Sequence, residues 1–258
     1  MTAPGWIRGR RTLALAGPVC ALALLSPSDA SPTYARLDGL PPLMLWAWER
    51  PEDLRGLDPS IGVAFLSQTI TLVGDRVSLQ PRRQPLRVSP TARLMAVTRI
   101  ETPPEGGEPV PTAIEPIATL IARTQTAPRV VAVQIDFDAR ASERSFYRTL
   151  LKAVRQKIGG QTPLSITALA SWCVGDRWLS DVPIDEAVPM LFRMGPLDGV
   201  YRELASTPSD GAEICRGALG VSLDEPLRVG RAGRRLYVFS PRAWTDHLVD
   251  DAREQANQ

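Results

Sequence analysis

A closed eight-stranded (β/α)8 barrel, the TIM barrel, is the fold this sequence predicts, and three observations predict it. Eight apolar runs of five to eight residues, rich in β-branched or aromatic side chains, recur along the chain between turn formers. Several are separated by amphipathic helical patterns, the alternation that builds a parallel sheet. The runs are continuously apolar, as strands are when helices cover the outer face of such a sheet. An open doubly wound sheet is the rival, but no Gly-x-Gly-x-x-Gly phosphate loop follows the first run.

Taken in order, the expected strands are 43–48, 61–67, 94–101, 130–137, 164–171, 187–193, 218–223 and 236–240. No helix follows the second. Instead 69–80 alternates on both sides of Gly74-Asp75, which predicts an inserted two-residue β-hairpin. The Pro/Gly-rich stretch 102–111 predicts a loop. Residues 114–124 place Ile114, Ile117, Ala118 and Ile121 on one helical face, and 142–158 do the same with Phe146, Leu150, Leu151, Val154 and Ile158 behind a Ser142 cap. A last helix is expected over 241–255. Other connections are short or irregular. Residues 41–250 thus form the barrel domain, 31–40 a linker and 251–258 a tail.

Residues 1–30 read as a secretory signal peptide. Arg8, Arg10 and Arg11 precede the apolar run 12–25, and Ser28 and Ala30 stand three and one positions before a cut after Ala30. An uncleaved anchor would need ~20 apolar residues, and Pro18 interrupts this shorter run. The adjacent arginines permit twin-arginine export as well as the general route. Periplasmic or secreted localisation is therefore expected, with no stable membrane span after cleavage. The 30 basic residues less these three, and the 28 acidic residues less Asp29, leave equal numbers, so no nucleic-acid partner is implied. A monomer is expected.

Cys173 and Cys215 would meet an oxidising compartment. Cys173 follows the fifth strand, at one face of the barrel, and Cys215 precedes the seventh, at the other. The separation exceeds disulfide reach, so no bridge is expected.

Candidate chemistry gathers at the strand ends. In Val130-Val-Ala-Val-Gln-Ile-Asp-Phe-Asp138 the apolar Val131, Val133, Ile135 and Phe137 alternate with Gln134, Asp136 and Asp138. If the apolar set faces the helices, the acids point into the barrel mouth ~6.5–7 Å apart. Paired acids in a partly dry pocket raise at least one pKa, which suits a general acid. Asp138 capping the following helix, or Arg140 bridging one acid, is the structural alternative. Other strand ends supply Glu101, Asp224 and Glu225 as second carboxylates, and Glu49, Gln68, Arg99, Ser171 and Arg193 as polar contacts. Trp46, Trp48, Trp172 and Trp178 are expected to stack on a sugar, or else to fill the barrel top. His247 is the single histidine, so Ser-His and Cys-His mechanisms lack a base and a His-ligated metal site is excluded. No cofactor or metal is called for.

Five blocks, PPLMLWAWERPEDL, VQIDFDARASERSFYRTLLKAVR, LSITALASWC, VPMLFRMG and GVSLDEP, resemble a family of uncharacterised bacterial proteins, domain of unknown function 3142, over about residues 40–242. That family is grouped with TIM-barrel glycoside-hydrolase-like domains, so the resemblance implies a barrel and no established activity. The fourth strand is also similar to the D-x-x-D-x-D-x-E signature of chitinase-type hydrolases, with Asp138 where that signature has glutamate and Gln134 where it has aspartate. The expected function is carboxylate acid/base hydrolysis of a polysaccharide or glycoconjugate, with Asp138 as acid and Asp136 tuning it. A barrel that binds an envelope glycan without catalysis, or an envelope accessory protein, is the alternative.

Overall fold

A computed structural model of the chain describes residues 1–2, 36–174, 178–195, 199, 212–225 and 233–257. The expected signal segment beyond residue 2 and the first half of the linker, 31–35, lie outside the described residues. The chain divides into two compact units, Met1–Ala30 and Ser31–Gln258, and the second carries the strands and helices.

The strands are β1 (Leu43–Ala47), β2 (Glu52–Leu54), β3 (Ile61–Val73), β4 (Arg76–Pro81), β5 (Leu86–Val88), β6 (Leu94–Glu101), β7 (Val130–Asp136), β8 (Leu164–Leu169), β9 (Glu186–Met190), β10 (Ala218–Ser222) and β11 (Arg235–Phe239). Among the described residues four α-helices accompany them: α1 (Ile114–Thr124), α2 (Arg144–Ile158), α3 (Ala170–Cys173) and α4 (Asp246–Ala256). Pairing runs β1-β11-β10-β9-β8-β7-β6-β3 and closes by β3 returning to β1. All eight of those junctions are parallel, which makes a closed (β/α)8 barrel.

Alternation assigns the layers. Met44, Trp46, Ala64, Met95, Val97, Ala132, Val188, Tyr237 and Phe239 cluster together inside the barrel. The intervening Val133, Ile135, Leu164 and Ile166 pack outward on Ile117, Ile121, Leu150 and Val154 of α1 and α2. Large and small residues share the interior, and an added Cβ at Gly62 would stand 2.4 Å from Met44 Sδ. Interior polar groups are joined to one another. Tyr237 Oη and Ser165 Oγ donate to Glu186 Oε2 at 2.6 and 3.1 Å, Gln134 Nε2 donates to Ser165 Oγ at 2.8 Å, and Arg235 ion-pairs with Glu186. Burial, reinforced by the Glu186 charge, lifts the Tyr237 phenol well above its usual range.

The hairpin forms as the spacing predicts. Val73 pairs with Arg76 around Gly74, whose φ of +61° a glycine adopts freely. Beyond the bulge at Ser67, β3 runs out past the barrel rim with β4 and packs against the Pro/Gly loop, where Gly74 N donates to Gly106 O at 2.7 Å. The short pair β2–β5 was not foreseen, because three residues leave no readable alternation.

Three local expectations are corrected. Ser142 does not cap α2; the buried Glu143 carboxylate accepts from Arg140 N at 2.7 Å and closes that turn. The last helix begins at Asp246 rather than at 241, since Trp244 turns inward to donate from Nε1 to Trp46 O, and Thr245 caps the helix. Cys173 and Cys215 are bonded, with Cα atoms 5.8 Å apart. Expectation put them at opposite faces of the barrel. Instead α3 and the 3-10 turn Glu213–Cys215 both join the outer hydrophobic layer beside β9, so the two sulfurs meet on its flank.

Candidate active site

The C-terminal ends of β6 and β7, with the outer length of β3, enclose a cavity of about 340 Å³ lined by Thr71, Arg99, Glu101, Thr102, Phe137 and Asp138 among others. Alternation along β7 sends Gln134, Asp136 and Asp138 away from the helices. Asp136 is nearly buried and held at both oxygens: Arg99 Nη1 donates to Oδ2 at 2.7 Å and Thr167 Oγ1 to Oδ1 at 2.8 Å. Arg99 also donates from Nε to Glu101 Oε1 at 3.0 Å. One guanidinium therefore serves two carboxylates on adjacent strands. Its partial burial opposes its charge, but the two anions outweigh that and raise its pKa.

Asp138 differs from both. It stands exposed on the cavity wall, and among the described residues no hydrogen bond or ion pair reaches its carboxyl group. Loss of hydration beside the wall, and then the Asp136 charge, hold its pKa above the usual carboxylate value, against a smaller opposing pull from Arg99. Neither structural alternative for Asp138 is seen: it caps nothing, and Arg140 pairs with Glu143. Behind the wall, the buried Tyr147 ring meets Phe137 edge-on at 5.1 Å.

The other foreseen residues divide by location. Arg193, Asp224 and Glu225 come together at the ends of β9 and β10: Arg193 N donates to Glu225 Oε2 at 2.9 Å and its guanidinium stands 3.7 Å from Asp224. The Ser222 hydroxyl, first among several donors, lowers the Asp224 pKa. Glu49 accepts from Arg83 N and Gln84 N, which ties it to the chain after the hairpin. Gln68 points outward, since the bulge at Ser67 reverses the alternation, and it donates to Thr98 Oγ1 and Leu120 O. Gln134 is wholly buried below Asp136. Trp46 is fully buried and stacks on Phe239 at 4.5 Å, so no face of it is open to a ligand. Trp172 is equally buried, in the outer layer against Trp178. Trp48, half-buried above Trp46, keeps part of its surface at the mouth. Ser171 is half-buried in α3.

Sequence reasoning missed Thr167, Thr71 and Thr102. Thr167 was findable, because Ser165 and Thr167 form the polar alternate of β8. Thr71 was not, because its orientation depends on the bulge. Among the described residues no group of three or more His, Cys, Asp or Glu could hold a metal ion, and no helix is long and apolar enough to cross a membrane.

No family model matches the chain, and no curated protein matches it. Among solved structures it is similar to the chitinase domain of the spore coat protein CotE from Clostridium difficile, at 14% identity and a TM-score of 0.40, over 58% of this chain and 49% of that one. The chain thus matches about half the length of that domain.

Proposed function

We propose that this protein is an exported glycoside hydrolase, acting on a polysaccharide or glycoconjugate by carboxylate chemistry at the mouth of the barrel. One observation carries the reading: at the end of β7 a bound acid, Asp136, stands beside an unbound one, Asp138, whose proton is held more tightly than usual. Two carboxyl groups with divided environments are what acid catalysis of glycoside cleavage requires. Asp138 is the general acid, Asp136 the fixed charge that tunes it, and Glu101 the second carboxylate on the same wall. The cavity lies where enzymes of this fold keep their sites. Trp48 offers an apolar surface at the rim. The disulfide fits an oxidising compartment, periplasmic or extracellular. On its five sequence blocks we assign the chain to the domain of unknown function 3142 family, and as a monomer.

A second reading, a barrel that binds glycan without cleaving it, draws on Arg99, which already engages Asp136 and Glu101 and leaves a single free carboxyl group. A glycan screen separates the two. Hydrolysis by the wild type that falls about 100-fold or more in Asp138→Asn supports the enzyme, given the usual worth of a general acid. Binding without hydrolysis, weakened by Trp48→Ala, supports the module. Turnover unchanged in Asp138→Asn rejects the assignment of the acid.

A further inference from the structure

We infer that the hydrolysis proposed above, on which this inference rests, retains anomeric configuration, with Glu101 as the nucleophile and Asp138 as the acid that becomes the base. The argument is one of strand geometry. Arg99 of β6 is the direct neighbour of Asp136 of β7, and their side chains meet on the same side of the sheet at 2.7 Å. Glu101 closes β6, and Asp138 stands two residues past Asp136, just beyond the end of β7. The two are carried by neighbouring strand ends ~4.8 Å apart, and both line the one cavity. An inverting pair stands about 6.5–9.5 Å apart to leave room for a water on the far side of the sugar, and a retaining pair about 5–5.5 Å. Neighbouring strand ends supply the shorter spacing. Asp224 and Glu225 follow β10, three strands around the barrel from β7, so they lie off this wall.

Arg99 separates the roles. Its guanidinium bonds Glu101, the group that must act as an anion, and leaves Asp138 unbonded to carry the proton. In the first step a Glu101 carboxylate oxygen attacks the anomeric carbon and forms an ester bond. The glycosidic C–O bond breaks, and its electron pair leaves on the departing oxygen, which takes the Asp138 proton. In the second step the Asp138 carboxylate removes a proton from water, whose oxygen attacks the same carbon. The ester C–O bond breaks and returns its electrons to Glu101. The balance is glycoside plus water giving alcohol plus a sugar of the starting configuration.

The test uses the full chain and 2,4-dinitrophenyl glycosides of gluco, galacto and manno configuration in both anomers, each also as its 2-deoxy-2-fluoro analogue. We expect the fluoro probe to add one fluorohexosyl unit to Glu101, read by intact mass and peptide mapping. Proton NMR of the first product from the parent glycoside should show the starting anomer. Glu101→Ala should lose about 1,000-fold or more in turnover, and azide should restore it with a glycosyl azide of opposite configuration. A first product of inverted configuration, or an adduct on any other residue, overturns the inference while leaving hydrolysis standing. No cleavage of any probe, and no adduct, removes the proposed function and this inference together. Adduct and NMR are read on the wild type, so a poorly folding Glu101→Ala does not block the decision.

Discussion

Opening the Cys173–Cys215 bridge should cost this barrel a large share of its stability, and the size follows from the loop it closes. The bonded residues are 42 apart in sequence. In the chain-entropy treatment the bridge withholds about 2.1 + 1.5R ln 42, or ~13 cal/mol/K, from the unfolded chain, which is ~4 kcal/mol at 25 °C. For a protein of this size 1 kcal/mol moves the Tm by about 2–4 °C, so a fall of roughly 8–16 °C is expected. Both sulfurs sit in the outer hydrophobic layer, 5% and 6% exposed. Two small apolar side chains can occupy that site without the bond, so the native packing survives and the loss falls mainly on the unfolded ensemble. The assay is thermal unfolding of the full chain with and without reductant, beside the Cys173→Ala/Cys215→Ala variant. Thiol titration of the unfolded, unreduced chain should find one of its three cysteines free, and three after reduction. A double variant melting within about 2 °C of wild type would refute the loop argument. Three free thiols before reduction would refute the bridge.

Two further outcomes follow from the site and the interior. Because the folded state holds the Asp138 proton more tightly than the unfolded chain does, the contribution of Asp138 to stability declines as pH rises from the ordinary carboxylate value through the raised one. Asp138→Asn, which cannot ionise, should unfold at higher urea than wild type near pH ~7 and show no such advantage near pH ~3; an equal difference at both pH values contradicts the raised pKa. Gly62→Ala would drive a methyl group to within 2.4 Å of the buried Met44 Sδ, and overpacking of that kind costs about 1–3 kcal/mol, readable as a lower urea midpoint with the far-ultraviolet dichroism unchanged.

The barrel was legible because burial on both faces leaves a dense signal in each strand. Val130–Asp136 could hardly be anything else, and all eight strands of the closed ring lie within a few residues of where the apolar runs placed them. What escaped depended on departures from regular period. Ser67 shifts the register of β3 by one residue, and that single bulge turns Gln68 out toward α1 and brings Thr71 to the cavity. The cysteines escaped for a related reason. Their placement assumed that each crossover spans from one end of the barrel to the other, whereas the four-residue α3 and the turn at Glu213–Cys215 lie together on the flank.

The tryptophans show why the chemistry was harder to read than the fold. A ring near a strand end satisfies the sequence criterion for a sugar platform and for a barrel plug equally well, since both demand a large flat apolar group at one height. Trp46 and Phe239 stack in the plug, Trp172 and Trp178 are buried, and Trp48 alone of the four foreseen rings keeps an open edge at the mouth. Charge is less ambiguous than area, because a buried carboxylate must find donors. Asp136 has found Arg99 and Thr167, and Asp138, two residues on and lining the cavity, has found no donor among the described residues. With the donors spent on the first acid, loss of hydration and then repulsion from that neighbour raise the pKa of the second. Two like charges at the end of a strand thereby come to stand in different surroundings, and that difference is set by which strands Arg99 and Thr167 sit on.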